Sequence, residues 1–270
     1  MTIHDLTSSL EHDERAWATQ FDRFARFYDY DYRDVEDDVQ LVLDLAVEHG
    51  GPILELGCGT ARALVPLGKA GFSAHGIDIS RTLLELAEQK IHAANLNTQI
   101  SLYRDDIRSS RLPSTHYSLA FCLSNTLMHC ESQSDQLKAL QTAYHHLKPS
   151  GILMVDLFNP DIITLNEVAG LMELADSWID ERGQQVLKWS VRMLDISNQQ
   201  QETTFIYEEI DTDGRSRRTV CPFTLRFIWP SEGELLLEKA GFQVLEIWGD
   251  AYGSAFDGQS ERLIYLAQKP

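Results

Sequence analysis

The chain has 270 residues, and 23 Lys plus Arg against 41 Asp plus Glu leave a formal net charge of −18. With 43% hydrophobic residues, 24% charged residues, 16 Gly and 8 Pro, it has ordinary globular usage and can bury a core without disulfide or metal staples. The acidity weighs against a nucleic-acid partner, because that binding draws on Lys and Arg at phosphates, and it favours a small neutral or cationic one.

The four cysteines (Cys58, Cys122, Cys130, Cys221) contain no C-x-x-C pair, and the 9 histidines show no ligand spacing, so no metal site is expected. No apolar run approaches the ~20 residues of a membrane span. The first residues, Met1-Thr2-Ile3-His4-Asp5, form neither a basic n-region nor an apolar h-region, which reads as cytoplasmic, with no membrane partner.

In chain order, residues 1–48 read as a helical cap, with Trp17, Phe21, Phe24, Ala25 and Tyr28 on one stripe over the carboxyl edge of a sheet. The acid run Asp34-Val35-Glu36-Asp37-Asp38 reads as a solvated helix face. Pro52-Ile53-Leu54-Glu55-Leu56 is a short apolar strand ending at a glycine turn. A helix over Ala61–Ala70 follows, with Pro66 a kink and Gly71 a stop. Phe72–Ile77 is a second strand, and Ser80 caps a helix carrying Leu83, Leu84, Ala87 and Ile91 on one face. Strands at Ile100–Tyr103 and Tyr117–Leu123 follow, then a helix over about 135–147 and a strand from Ile152 to Leu157. Near-continuous apolar strands alternating with helices predict a doubly wound parallel sheet. Past Pro160 the pattern changes. Leu187, Trp189, Val191 and Met193 alternate with Lys188, Ser190 and Arg192, predicting a strand with the charged face wet. Thr203–Ile210, the turn Asp211-Thr212-Asp213-Gly214, and alternating Cys221, Phe223, Leu225 and Phe227 extend this into an antiparallel insertion. A helix near 232–240 and strands at Val244–Trp248 and Leu263–Leu266 close the chain.

The candidate site lies at the strand ends. Glu55-Leu56-Gly57-Cys58-Gly59-Thr60-Ala61 lets backbone approach a ligand at the edge where open α/β sheets bind. Asp78 closes the second strand 19 residues beyond Gly59, where a carboxylate can take both hydroxyls of a ribose. Asp106 follows the third strand, and Leu123-Ser124-Asn125-Thr126 ends the fourth. A dinucleotide fingerprint needs a small residue at position 62, where this chain has Arg62.

The run Ile53–Ala61, the pairs Asp78-Ile79 and Asp106-Ile107, and Leu147-Lys148-Pro149-Ser150-Gly151 resemble the class I S-adenosylmethionine-dependent methyltransferases. The resemblance implies a Rossmann-like seven-stranded sheet and S-adenosylmethionine as cofactor. It further implies that Gly57 and Gly59 line the methionine part, Asp78 binds the ribose, Asp106 takes the adenine amino group and the Ile107 backbone meets the ring, with Glu55 and Ile79 also among the cofactor-binding residues. The Leu123 carbonyl would meet the cofactor's amino group. Ala61 stands where the family's third glycine usually is.

Tyr28-Asp29-Tyr30-Asp31-Tyr32, the insertion before Leu225-Arg226-Phe227, and the ending Gly249-Asp250 through Arg262-Leu263 resemble the small-molecule methyltransferases that include amino-sugar N-methyltransferases. That resemblance implies a core of 49–160 and 229–270, with 161–228 contributing to an acceptor site. His129 would lie beside the methyl group as the catalytic residue, against the alternative of a helix-start histidine satisfied by backbone. Tyr28 and Tyr32 would touch the sulfonium end, against plain helix packing. Arg226 either binds the acceptor or pairs with an acid. The expected activity is methyl transfer to a small-molecule amine; O-methylation, or use of the cofactor without intermolecular transfer, are the alternatives. A homodimer is compatible with this layout.

Overall fold

Consecutive residues of β1 (Ile53–Leu56) serve opposite faces of one sheet: Ile53 packs with Leu41, Leu64 and Leu67, whereas Leu54 and Leu56 pack with Leu127, Ala139 and Leu140. A strand buried on both sides is apolar on both faces, which is why these runs lack a polar alternation, buried Glu55 being the exception in β1. A computed structural model describes residues 20–113 and 116–270 of the chain. Trp17 and the start of the expected cap lie outside the described residues.

The sheet has seven strands in the order β10-β11-β5-β4-β1-β2-β3. Strands β2 (Ala74–Asp78), β3 (Ile100–Arg104), β4 (Tyr117–Cys122) and β5 (Leu147–Phe158) run parallel with β1. Strand β11 (Arg262–Gln268) is antiparallel to both β5 and β10 (Gln243–Trp248). The order reverses between β1 and β4, and the crevice at their carboxyl ends is where such sheets bind ligands. The helices Asp37–His49, Leu64–Lys69 and Arg81–Ala93 supply one hydrophobic layer, and Gln133–His146 and Pro230–Ala240 the other. No helix among the described residues is long and apolar enough to cross a membrane.

A second sheet, β6-β7-β8-β9, is wholly antiparallel: Met172–Ile179, Gln185–Asp195, Gln200–Ile210 and Ser216–Arg226. Its first strand begins earlier than the sequence alternation suggests.

Three expectations need correction. The first glycine-loop helix starts at Leu64 and not at Ala61, because Ala61 is left-handed at φ 63°. Pro66 then falls in the first turn, where its missing N–H costs no helix bond, and it does not kink the helix. The faces of β7 are also reversed: Val186 and Ser190 are buried, whereas Met193, on the apolar side of the alternation, is 56% exposed. Helix Ala25–Asp31 covers the polar side of that strand, with Phe27 packing against Val186 and Tyr207. Last, the acid run is a solvated face only in part, Asp34 and Glu36 being exposed. Asp38 is 1% exposed and holds Arg62, and Asp37 pairs with Arg262.

Candidate active site

One cavity of about 270 Å³ opens at the switch point between β1 and β4, near the lower end of the ~300–1,000 Å³ usual for small-molecule sites. Gly57, Gly59, Asp78, Ile79, Asp105 and Ile107 line one part of it, and Ser124, Thr126 and His129 another. Helix Ala25–Asp31 and the residues on either side of it bring Phe21, Phe24, Tyr28, Asp31 and Tyr32; the small sheet brings Lys188, Phe205 and Phe223.

The glycine loop is shaped by contacts that leave no room for a side chain. Gly57 and Cys58 both donate N–H to the Ile77 carbonyl, at 2.8 and 3.0 Å. Gly57 and Gly59 are left-handed, at φ 76° and 51°. A methyl on Gly57 would stand 2.3 Å from the Thr126 side chain, and one on Gly59 would stand 2.8 Å from the Tyr28 hydroxyl. The bare backbone therefore forms a cradle that a Cβ would fill.

Asp78 ties the loop to the next helix. One carboxylate oxygen accepts the Gly59 N–H and the other the Ser80 N–H, both at 2.8 Å. Burial pushes its pKa up to about 6, with the backbone hydrogen bonds opposing. Each oxygen keeps a lone pair for a further donor. Glu55 is buried beneath the loop, and its Oε2 has no hydrogen-bond partner among the described residues. Burial drives its pKa well upward, Arg62 opposing. A buried carboxylate oxygen left unpaired is costly, and a cationic ligand would relieve it. Cradle, ribose-competent carboxylate and orphaned acid fit S-adenosylmethionine, which carries a ribose and a positive sulfur.

Asp106 and Leu123 are not among the residues that line the cavity. Both Asp106 oxygens face the Arg108 guanidinium, at 2.5 to 3.0 Å, and one also accepts the Arg108 N–H. The acid that lines the cavity at this strand end is Asp105. The Leu123 carbonyl accepts the Thr126 N–H at 3.0 Å, and Ser124 and Thr126 form the wall there. Ser124 and Asn125 are both left-handed, at φ 52° and 64°. Asp156 holds this strained turn by accepting the Ser124 N–H at 3.1 Å, and Asn125 accepts the Phe158 N–H at 2.6 Å.

His129 ends the 3₁₀ turn Thr126–His129 that follows. It packs edge-on to Phe21 at 5.0 Å between ring centroids and tilted to Phe223 at 5.5 Å. Its Nδ1 is buried with no partner among the described residues, and burial lowers its pKa to about 4. The alternative of a backbone-satisfied histidine does not account for that nitrogen. Tyr28 and Tyr32 meet at 4.7 Å, and the Arg62 guanidinium lies 4.9 Å from the Tyr32 ring centroid. Arg62 donates to both Asp38 oxygens (2.7 and 2.6 Å) and to the Val35 carbonyl (2.9 Å), clamping helix Asp37–His49 to the loop. Its sequence signal was its misfit to the dinucleotide fingerprint.

Arg226 is not at the cavity. It is buried, donating to Gln136 at 2.8 Å, Gln199 at 3.1 Å and Glu232 at 2.7 Å. It pins β9 to the helices Gln133–His146 and Pro230–Ala240, so its role is structural. The wall residues that sequence reasoning passed over are Phe24 as a site residue, Asp31, Asp105, Lys188, Phe205 and Phe223. Strand alternation placed Phe205 and Phe223 on strands without saying which face was covered.

Residues 53–151 match the family model described as a methyltransferase domain. YqeM of Bacillus subtilis (strain 168), whose name gives it as a methyltransferase of no stated acceptor, is 22% identical over 245 residues, spanning 84% of this chain and 87% of its own. Among solved structures, the CcbJ methyltransferase from Streptomyces caelestis superposes with a TM-score of 0.76 at 23% identity, over 94% of this chain and 98% of that one. The sugar N-methyltransferase KedS8 from Streptoalloteichus sp ATCC 53650 gives 0.71 at 19% identity, over 90% and 92%. Those last two likenesses extend the shared fold past the matched domain, through the small sheet. The glycine cradle and the carboxylate at the end of β2 both lie within residues 53–151, which form a methyltransferase domain, and the rest of the chain shares the fold of the solved methyltransferases.

Proposed function

We propose that this enzyme methylates the amino group of a small molecule. The observation that carries the reading is His129 in its aromatic enclosure, with its pKa pushed down to about 4. A hydroxyl nucleophile needs a base strong enough to take its proton, and an imidazole this weak is poorly matched to that task. A neutral amine brings its own lone pair. The KedS8 name, a sugar N-methyltransferase, supports the same choice.

When bound, the cofactor supplies a methyl group already activated by its positive sulfur. Gly57, Gly59, Asp78, Ile79 and Ile107 would hold it, with Glu55 beneath and Asp105 at the adenine end. The chain's remaining task is alignment and exclusion of water, worth ~7–11 kcal/mol when reacting atoms are well placed. Phe21, Phe24, Phe205 and Phe223 enclose the acceptor's apolar body, and helix Ala25–Asp31 with the small sheet closes the site. The compartment we propose is the cytoplasm.

The test is transfer of labelled methyl from S-adenosylmethionine to an amino sugar and to the matching sugar with a hydroxyl at that carbon. Label on the amine alone is expected. Label on the hydroxyl alone overturns the amine reading, and cofactor consumed with label on neither acceptor overturns transfer to such acceptors.

A further inference from the structure

Asp31 ends the helix Ala25–Asp31, and its carboxylate stands in the cavity wall beside the small sheet, 9% exposed. Its Oδ2 accepts two hydrogen bonds, from Lys188 Nζ at 2.8 Å and from the Tyr207 hydroxyl at 2.6 Å. Its Oδ1 is buried and has no partner among the described residues. A buried carboxylate normally fills both oxygens, and an empty one costs the desolvation without the bond. Two donors fix the group in this orientation.

Lys188 is differently placed. Its ammonium is committed to Asp31 and to the face of Phe205, 4.1 Å from the ring centroid. The acceptor end of the cavity thus holds a satisfied cation and a half-satisfied anion. The unmet demand there is for a hydrogen-bond donor, and the surrounding rings of Phe21, Phe24, Phe205 and Phe223 suit a positively charged one.

We propose that Asp31 Oδ1 is the recognition point for the acceptor, taking an N–H of the amino group to be methylated while Lys188 and Tyr207 hold the carboxylate still. This rests on the amine reading above and adds to it the residue that selects the amine. A hydroxyl also donates to Oδ1, but a charge-assisted bond from an ammonium is roughly twice as strong. The bound ammonium releases one proton to solvent before transfer, and the neutral amine keeps an N–H on Oδ1 while its lone pair faces the methyl group. A carboxylate or phosphate group meets repulsion from Asp31 and finds Lys188 already neutralised.

The experiment measures binding of three probes on one ring, cyclohexylamine, cyclohexanol and cyclohexanecarboxylate, to the full chain saturated with S-adenosylhomocysteine at pH 8. Cyclohexylamine should bind at least tenfold tighter than the other two. Asp31→Asn should weaken it at least tenfold and leave S-adenosylhomocysteine affinity within twofold, which also reports that the variant is folded. Should Asp31→Asn lose S-adenosylhomocysteine binding, Tyr207→Phe decides. That change removes one anchor of the carboxylate and should weaken the amine several-fold with S-adenosylhomocysteine unaffected. An amine affinity unchanged by the deciding variant overturns the role of Asp31 and leaves the amine reading standing. Preference of the wild-type protein for the alcohol or the carboxylate, or no amine binding at all, overturns both.

Discussion

If Asp78 holds the cofactor's ribose as proposed, it couples cofactor binding to pH, and the size of the effect follows from its surroundings. Its two oxygens already accept N–H groups from Gly59 and Ser80, yet burial still raises its pKa to about 6. The unfolded value is about 3.9, so the folded chain takes up a proton that the unfolded chain does not hold between about pH 4 and pH 6. The stability contributed by this group is greatest below that window and is lost as pH rises through it, about 3 kcal/mol in all. Ligand binding has the opposite sign. Ribose hydroxyls donate to the ionised carboxylate, so below about pH 6 the proton has to leave first. Affinity for S-adenosylhomocysteine should fall tenfold per pH unit there, to roughly a tenth of its pH 8 value by pH 5.

Calorimetric titration with S-adenosylhomocysteine from pH 5 to pH 8 checks this. His129, at about 4, stays neutral across the range. Asp78→Asn keeps the shape and removes the titration. It should flatten the profile and cost roughly 1.5–3 kcal/mol, about 10- to 150-fold in affinity at pH 8. A wild-type affinity constant from pH 5 to pH 8, or the same slope in Asp78→Asn, would refute the reasoning.

Arg226→Ala takes the donor from two glutamine carbonyls and the cation from Glu232, which keeps only its bonds from Gln133 and Gln199, so it should destabilise the fold by about 3 kcal/mol; an unchanged denaturation midpoint would contradict a structural role. Gly59→Ala places a methyl 2.8 Å from the Tyr28 hydroxyl at φ 51°, and S-adenosylhomocysteine affinity should drop at least tenfold. Gly170→Ala, at φ 75° with nothing within 4 Å, should show only the ~1–2 kcal/mol conformational cost and bind normally. His129→Ala should cost less than ~10²-fold in turnover on an amine and leave the pH–rate profile between pH 6 and pH 8 unchanged. A wild-type acid limb near pH 6.5 that vanishes in the variant would show that His129 titrates in its ordinary range.

Legibility in the sequence tracked the distance over which a residue's environment is decided. The loop at Gly57 and Gly59 and the carboxylate of Asp78 are set within one strand–helix–strand unit, so spacing alone located them. Neighbouring acids defeat spacing: Asp105 and Asp106 are adjacent, and the competitor that removes Asp106, Arg108, sits two residues on. The faces of β7 could not be ranked because alternation defines two faces without saying which is covered. Phe27, far back in the chain, makes that choice by packing on Val186 and Tyr207. Asp37 and Asp38 read as a wet face for the same reason, their partners Arg262 and Arg62 being remote in sequence. Only Ala61 offered a local warning. It stands at the third glycine position and takes the left-handed backbone, φ 63°, that a glycine would adopt more readily.

The two ends of the cavity are therefore built by different means, and this bears on what each can vary. At the cofactor end the wall is largely glycine-loop backbone with the carboxylates of Asp78 and Asp105, held by bonds such as Gly59 N–H to Asp78 and Cys58 N–H to Ile77. Few substitutions there leave the cradle intact, because an added Cβ at Gly57 or Gly59 collides with Thr126 or Tyr28. At the acceptor end the wall is side chains alone, from a helix and a sheet that meet through Phe27, Trp178 and Tyr207. Phe205, Phe223 and Lys188 can change without altering a ladder hydrogen bond, since the strands pair through their backbones. A fixed cofactor end joined to a substitutable acceptor end allows one fold to serve many acceptors, so on our proposal acceptor identity is carried by side chains such as Asp31 and leaves little trace in the glycine-loop pattern.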